Sequence, residues 1–236
     1  MRRLQFVDNG IYHVFNRGVE KRSIFLDNQD YYRFIHNLFE LNDEIPVLNS
    51  RYYFDPKITG LRPGQPRKNR EMRKCLVDIL VFTLMPNHFH LLLRQRKAGG
   101  IAKFMQKVCI GYVMYFNKKY ERIGGLFQGR FKAVMAKRDE YFQYLPHYIH
   151  LNPLGITGNK AIASWREAFS FLEKYKWSSF PDYIGKKNFP SVTKRDFVLK
   201  SVGGETAYRR YTREFLRELQ KDKEVWPELI QDFTLD

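Results

Sequence analysis

The chain has 236 residues, 44% of them hydrophobic and 16% aromatic, enough to bury the core of one large domain or of one domain with an extension. Its 41 Lys and Arg against 25 Asp and Glu give a net charge of +16 and a sequence pI near 9.8, a balance that favours a polyanionic partner. The only cysteines, Cys75 and Cys109, have no CxxC spacing, which excludes a disulfide scaffold and a zinc ribbon, and no apolar run approaches the roughly 20 residues of a membrane span. Met1 is followed by Arg2 and Arg3 without an apolar stretch, which predicts no signal peptide and a cytoplasmic location.

The first predicted element is a strand, Ile11 to Asn16, ending at Arg17-Gly18. A helix follows, with Asp27 as N-cap and Tyr31, Phe34, Ile35, Leu38 and Phe39 on one apolar face. Residues 46–74 break the pattern, with four prolines among arginines and lysines, and read as a long basic loop. Leu76 to Leu84 is a second strand, Met85-Pro86-Asn87 a turn, and His88 to Arg94 a third strand. Gly99-Gly100 opens a helix from Ile101 to Tyr120, Phe131 to Ala136 is a fourth strand, and Asp139 caps a helix running to Asn152 before Pro153.

The order β-α-β-β-α-β-α contains the split βαβ plan, an α+β fold with a four-stranded antiparallel sheet and two helices on one face. The last helix is then expected across the bare face. Beyond Pro153 the chain turns aromatic and basic, then helical from Glu205 to Gln220, a mostly helical C-terminal extension packed on the core. The domain reading is 1–155 for the catalytic domain and 156–236 for the extension.

Strand alternation puts His88 and His90 on one face, two imidazoles side by side as half of a divalent metal site. Tyr148 and Asn152, four apart, share a helix face. If that face lies over the histidine strand, Asn152 offers its amide oxygen as third ligand and Tyr148 stands one turn away. Two imidazoles and one oxygen suit magnesium or manganese, with open positions for water and a phosphate oxygen. A deprotonated Tyr148 would attack a phosphodiester as nucleophile. His147 and His150 flank Tyr148 and leave open a zinc-hydrolase site built with either of them.

Five segments carry a resemblance: Tyr12-His13-Val14-Phe15-Asn16-Arg17-Gly18, Met85-Pro86-Asn87-His88-Phe89-His90-Leu91-Leu92, Phe127-Gln128-Gly129-Arg130-Phe131, Tyr148-Ile149-His150-Leu151-Asn152-Pro153 and Lys176-Trp177-Ser178-Ser179. In this order they resemble the single-tyrosine HUH (IS200-like) transposases, most closely the REP-associated tyrosine transposases. The resemblance implies a ferredoxin-like domain that nicks and rejoins single-stranded DNA beside a hairpin. Its catalytic chemistry would pass through a 5′-phosphotyrosine on Tyr148, with His88, His90 and Asn152 as metal ligands. The family includes both monomers and dimers, so a homodimer is one of the two assemblies implied. Arg17, Arg130 and Lys132 are the expected DNA contacts, with stacking on Tyr and Phe. A catalytically inactive nucleic-acid-binding protein on the same fold is the alternative.

Three features depart from the family pattern. Pro146 is expected to kink the tyrosine helix or delay its start; Leu154-Gly155-Ile156 replaces the usual basic-Ala-Gly; and the 46–74 insertion is long.

Overall fold

The computed structural model describes residues 5–44, 73–136, 139–156 and 164–221. Four strands, β1 (Ile11–Arg17), β2 (Val77–Met85), β3 (His88–Gln95) and β4 (Lys132–Met135), form one sheet in the order β2-β3-β1-β4, the antiparallel split βαβ arrangement. Among the described residues the α-helices are α1 (Asn28–Glu40), α2 (Gly100–Lys119), α3 (Asp139–Leu151), α4 (Trp165–Lys174), α5 (Phe180–Tyr183), α6 (Asp196–Val202) and α7 (Glu205–Lys221). The α+β class and the order of elements are as the hydrophobic periodicity predicts. Most boundaries differ by a residue or so, because ladder and helix bonds extend slightly beyond the apolar pattern. No helix among the described residues is long and apolar enough to cross a membrane. Apart from Arg73 and Lys74, the expected 46–74 loop lies outside the described residues.

Contacts gather the chain into two units. The first comprises Met1–Asp78, Pro86–His88 and Leu93–Met135. Within it α1 begins where Asp27 and Asp30 cap each other: the Asp30 N–H donates to the Asp27 carboxylate at 3.1 Å, and the Asp27 N–H to that of Asp30 at 3.3 Å. The start of α2 is equally constrained. A Cβ on Gly100 would stand 2.4 Å from the Leu76 carbonyl oxygen, so only glycine lets the two chains approach. Phe104, Val108, Tyr112 and Phe116 then fall at four-residue spacing on the buried face of α2. β1 and β4 pair with Tyr12 opposite Met135, His13 opposite Val134 and Phe15 opposite Lys132, so His13, Val134, Phe15 and Lys132 share one sheet face.

The second unit comprises Ile79–Met85, Phe89–Leu92 and Ala136–Asp236. Here the extension covers the outer edge of β2. The Leu84 N–H donates to Trp177 O at 2.8 Å, the Ser179 N–H to Phe82 O at 2.9 Å, and the Thr83 and Ser178 hydroxyls meet at 3.0 Å. A bare edge strand would offer these groups to another chain, so Trp177-Ser178-Ser179 closes the sheet on that side. Tyr175 and Tyr183 add hydroxyl bonds to the carbonyls of Leu84 (2.7 Å) and Leu80 (2.8 Å).

One expectation for the tyrosine helix needs correction. Pro146 does not delay α3: the helix starts at Asp139 and runs through the proline to Leu151. Leu145, Pro146 and Ile149 are buried, and packing on that face holds the helix across the missing backbone bond. As expected, the α-helix stops just before Pro153; Asn152 opens a separate 3-10 turn, Asn152–Ile156, which contains the proline.

The reciprocal cap gives a quantitative expectation. Asp27→Ala removes it and should destabilise the protein by about 1 kcal/mol, while Asp27→Asn, which still caps, should lose far less. Denaturant unfolding reads this as a lowered midpoint with an unchanged slope. Equal midpoints for both variants would assign the cap no energetic role.

Candidate active site

The second unit holds the tyrosine helix against Phe89–Leu92, the stretch of β3 that carries His90. Tyr148 of α3 is half-buried, and its ring meets the fully buried ring of His90 edge-on, with centroids 6.3 Å apart and planes at 90°. One turn later the buried Asn152 donates its amide N–H to the Tyr148 carbonyl at 2.9 Å. That bond turns the amide oxygen away from the helix. Asn152 Oδ1 is buried and has no hydrogen-bond partner among the described residues, an arrangement that costs free energy unless a donor or a cation completes it.

His88 lies two residues before His90 on β3 and is 5% exposed. Its Nδ1 sits 2.7 Å from the side-chain oxygen of Asn87. An amide oxygen can only accept, so Nδ1 carries the proton and Nε2 presents its lone pair, the tautomer a metal ligand needs. Asn87, in the turn that precedes β3, is therefore an orienting residue that sequence reasoning passed over. The Nε2 atoms of both His88 and His90 are buried.

His147 and His150 face elsewhere. His150 is fully buried, with Nδ1 2.7 Å from the Tyr208 hydroxyl and Nε2 2.8 Å from the Ser179 hydroxyl, so both ring nitrogens are engaged. His147 Nδ1 lies 3.0 Å from the Thr212 hydroxyl, and its ring stacks on Tyr208 with centroids 4.2 Å apart. Among the described residues no three His, Cys, Asp or Glu side chains are grouped to hold a metal. The zinc-hydrolase reading fails on this geometry. The open amide oxygen of Asn152 is neutral, hard and buried, the chemistry of an oxygen ligand rather than of a core group.

The three predicted DNA-contacting cations lie in the first unit, where β1 ends beside the loop that leads into β4. The Arg17 guanidinium donates to the Gln128 side-chain oxygen, Asn16 donates its amide to Gly129 O at 3.1 Å, and the Gln128 N–H donates to Arg17 O at 2.9 Å. Gly129 holds a φ of 133°, a conformation that favours glycine, which accounts for the Gln128-Gly129-Arg130 sequence. Arg130 and Lys132 are exposed, and the Lys132 ammonium stands 5.6 Å from the ring centre of half-buried Phe15. Phe15 and Val134, the latter 47% exposed, make an apolar spot on the same sheet face.

With that geometry described, comparison with known proteins is decisive over one segment. Residues 69–152 match the family of IS200-like transposases. The matched stretch includes both histidines, the tyrosine and Asn152. A solved structure described as a REP-associated tyrosine transposase bound to a REP hairpin shares the fold. The TM-score is 0.51 at 12% identity, covering 81% of this chain and 88% of that one. No curated protein matches the sequence. The resemblance to IS200-like transposases is borne out over 69–152, which holds the segments 85–92, 127–131 and 148–152, and the α+β fold is borne out with it.

Burial pushes the His147 imidazole down to about 4, well below the usual 6.5. The unfolded chain then takes up a proton near pH 6.5 that the folded chain refuses. Stability should be fully present above pH 6.5 and fall between pH 6.5 and 4, by up to about 3 kcal/mol from this group. The thermal midpoint followed against pH should show that decline in the natural protein and a shallower one in His147→Gln. Parallel curves would remove the imidazole as its source.

Proposed function

We propose that this chain is a DNA transposase that nicks and rejoins single-stranded DNA through a covalent 5′-phosphotyrosine on Tyr148. The observation that carries the reading is the Tyr148 ring set edge-on to buried His90, one turn before the open oxygen of buried Asn152. We assign the catalytic domain to 1–155, with 156–236 as an extension that braces it.

His88, His90 and Asn152 would hold a divalent ion of the magnesium or manganese type. When bound, such an ion polarises the scissile phosphate and offsets its developing charge. The chain's own part is to position the reacting groups. Half-buried Tyr148 gives up its phenolic proton to solvent, and the phenoxide attacks phosphorus. A Tyr148 oxygen–phosphorus bond forms, the bond from phosphorus to the 3′-oxygen breaks, and that oxygen leaves with a proton as a free 3′-OH. Attack by a 3′-OH on the phosphotyrosine reverses the step and rejoins the DNA. Asn87 holds His88 in the ligating tautomer throughout.

Arg17, Arg130 and Lys132 would lie along the DNA backbone, with Phe15 as a surface on which an unpaired base stacks. The solved structure of the same fold is described as bound to a REP hairpin, which supports a hairpin substrate here. If about six phosphates are neutralised, affinity should fall roughly 10³-fold between 50 and 200 mM salt. Titrations of a labelled hairpin over that range that gave a flat response would remove nucleic acid as the partner.

The decisive assay mixes the protein with a pool of labelled single-stranded hairpins with flanking tails and magnesium or manganese, and seeks a denaturant-resistant adduct. We expect an adduct that Tyr148→Phe abolishes with binding nearly intact. His88→Ala and His90→Ala should abolish it as well, and Asn152→Ala should weaken metal affinity more than DNA affinity. Salt-sensitive binding with no adduct anywhere in the pool would make the chain a nucleic-acid-binding protein on this fold. An adduct that survives in Tyr148→Phe would move the nucleophile.

A further inference from the structure

Tyr148 is one residue of a helix, and what fixes that helix lies in the far C-terminal part of the chain. α7 meets α3 at three successive levels, running antiparallel to it. Phe215 packs edge-on against Tyr144 with centroids 5.5 Å apart, Thr212 bonds His147 at 3.0 Å, and Tyr208 bonds His150 at 2.7 Å. The spacing 208, 212, 215 is one face of a helix, as is 144, 147, 150. The contacts also reach the nucleophile: the Tyr144 ring stands 6.1 Å from that of Tyr148.

The Ser179 hydroxyl, which meets His150 Nε2 at 2.8 Å, also lies 3.2 Å from Phe82 O and accepts the Phe82 N–H at 3.0 Å. A neutral imidazole has one donor and one acceptor, so Tyr208 and Ser179 meet His150 in opposite senses. The Thr212 hydroxyl likewise bridges His147 Nδ1 at 3.0 Å and Tyr208 O at 2.9 Å. One continuous chain of buried bonds thus runs from α7 through the middle of α3 to the backbone of β2. The residues named on α7 lie outside the segment that matches IS200-like transposases.

We propose that α7 sets the position of the nucleophile, with Tyr208, Thr212 and Phe215 as positioning residues that fix the rotation and height of α3 and so the approach of Tyr148 to the scissile phosphate. The inference rests on Tyr148 being the nucleophile. It differs from ordinary core packing because directional bonds, not volume alone, index the helix: a phenol and a hydroxyl must each meet one ring nitrogen.

The test uses Tyr208→Phe and Thr212→Val, singly and together, with Thr212→Ser as the conservative variant that keeps the hydroxyl. In the full chain with manganese and a hairpin that supports the adduct, single-turnover adduct formation in the double variant should slow by about tenfold. The DNA concentration for half-saturation should stay within about twofold, and Thr212→Ser should behave like the natural protein. An unchanged rate, or a half-saturation that moves as far as the rate, overturns the proposal.

Hydrogen exchange without DNA or metal gives an independent reading. Amides 144–151 should exchange faster in the double variant while those of α4 do not. Unaltered protection, or a loss spread over α4 as well, overturns the proposal too. Should the natural protein form no adduct, the nucleophile assignment fails by itself, and the exchange pattern still decides whether α7 fixes α3.

Discussion

In the second unit, the buried imidazole of His150 is the contact on which the rest depends. Its two nitrogens are satisfied from opposite sides, by Tyr208 of α7 and by Ser179 beside β2. A buried ring with one nitrogen unmet would cost of order 1–3 kcal/mol, so the arrangement tolerates little displacement of any partner. Ser179 is in turn bound to Phe82 through both its backbone and its side chain. The helix that carries Tyr148 is thereby tied to a strand on one side and to another helix on the other. Burial pushes the His150 imidazole well below its usual range, so the ring stays neutral and keeps one donor and one acceptor. Charging it would make both nitrogens donors, so whichever hydroxyl now donates to the ring would face an N–H instead.

Functional groups here are bound to their neighbours with unequal completeness, and the inequality is informative. His150 and His147 have their polar partners and serve as framework. Asn152, equally buried, spends its amide N–H on the Tyr148 carbonyl and keeps its oxygen open. An open oxygen at the end of a helix that presents a tyrosine to a histidine fits a cation better than it fits a hydrophobic core. The distinction separates satisfied from unsatisfied polar groups within one short segment, 147–152, which as a sequence looks uniformly rich in chemistry.

The cationic corner where β1 ends works on another physical basis. Its two arginines and one lysine are exposed or half-buried, and what is fixed is the backbone beneath them, stitched by Asn16, Gln128 and Gly129. A fixed corner carrying exposed cations suits a polyanion whose phosphates recur at regular spacing. The apolar spot of Phe15 and Val134 lies beside it on the same sheet face.

Much of this was legible in the chain because it depends on local periodicity. Alternation alone put His88 and His90 on one face, the four-residue spacing alone put Tyr148 and Asn152 on one face, and Asp27 announced the start of α1. Local rules misjudged Pro146, since its cost to an isolated helix is offset by burial of the residues around it. They were also silent on which of three histidines near Tyr148 serve structure. That decision rests on Tyr208, Thr212 and Ser179, residues 29 to 65 positions away from their partners, brought together only by the packing of α7 and the 177–179 segment. The sequence by itself determined the order of strands and helices and which of these residues share a face, His88 with His90 and Tyr148 with Asn152, because both follow from repeats of two and of about four residues. Tertiary structure alone decided which polar groups are satisfied, because hydrogen-bond completion depends on distant partners that no local pattern encodes.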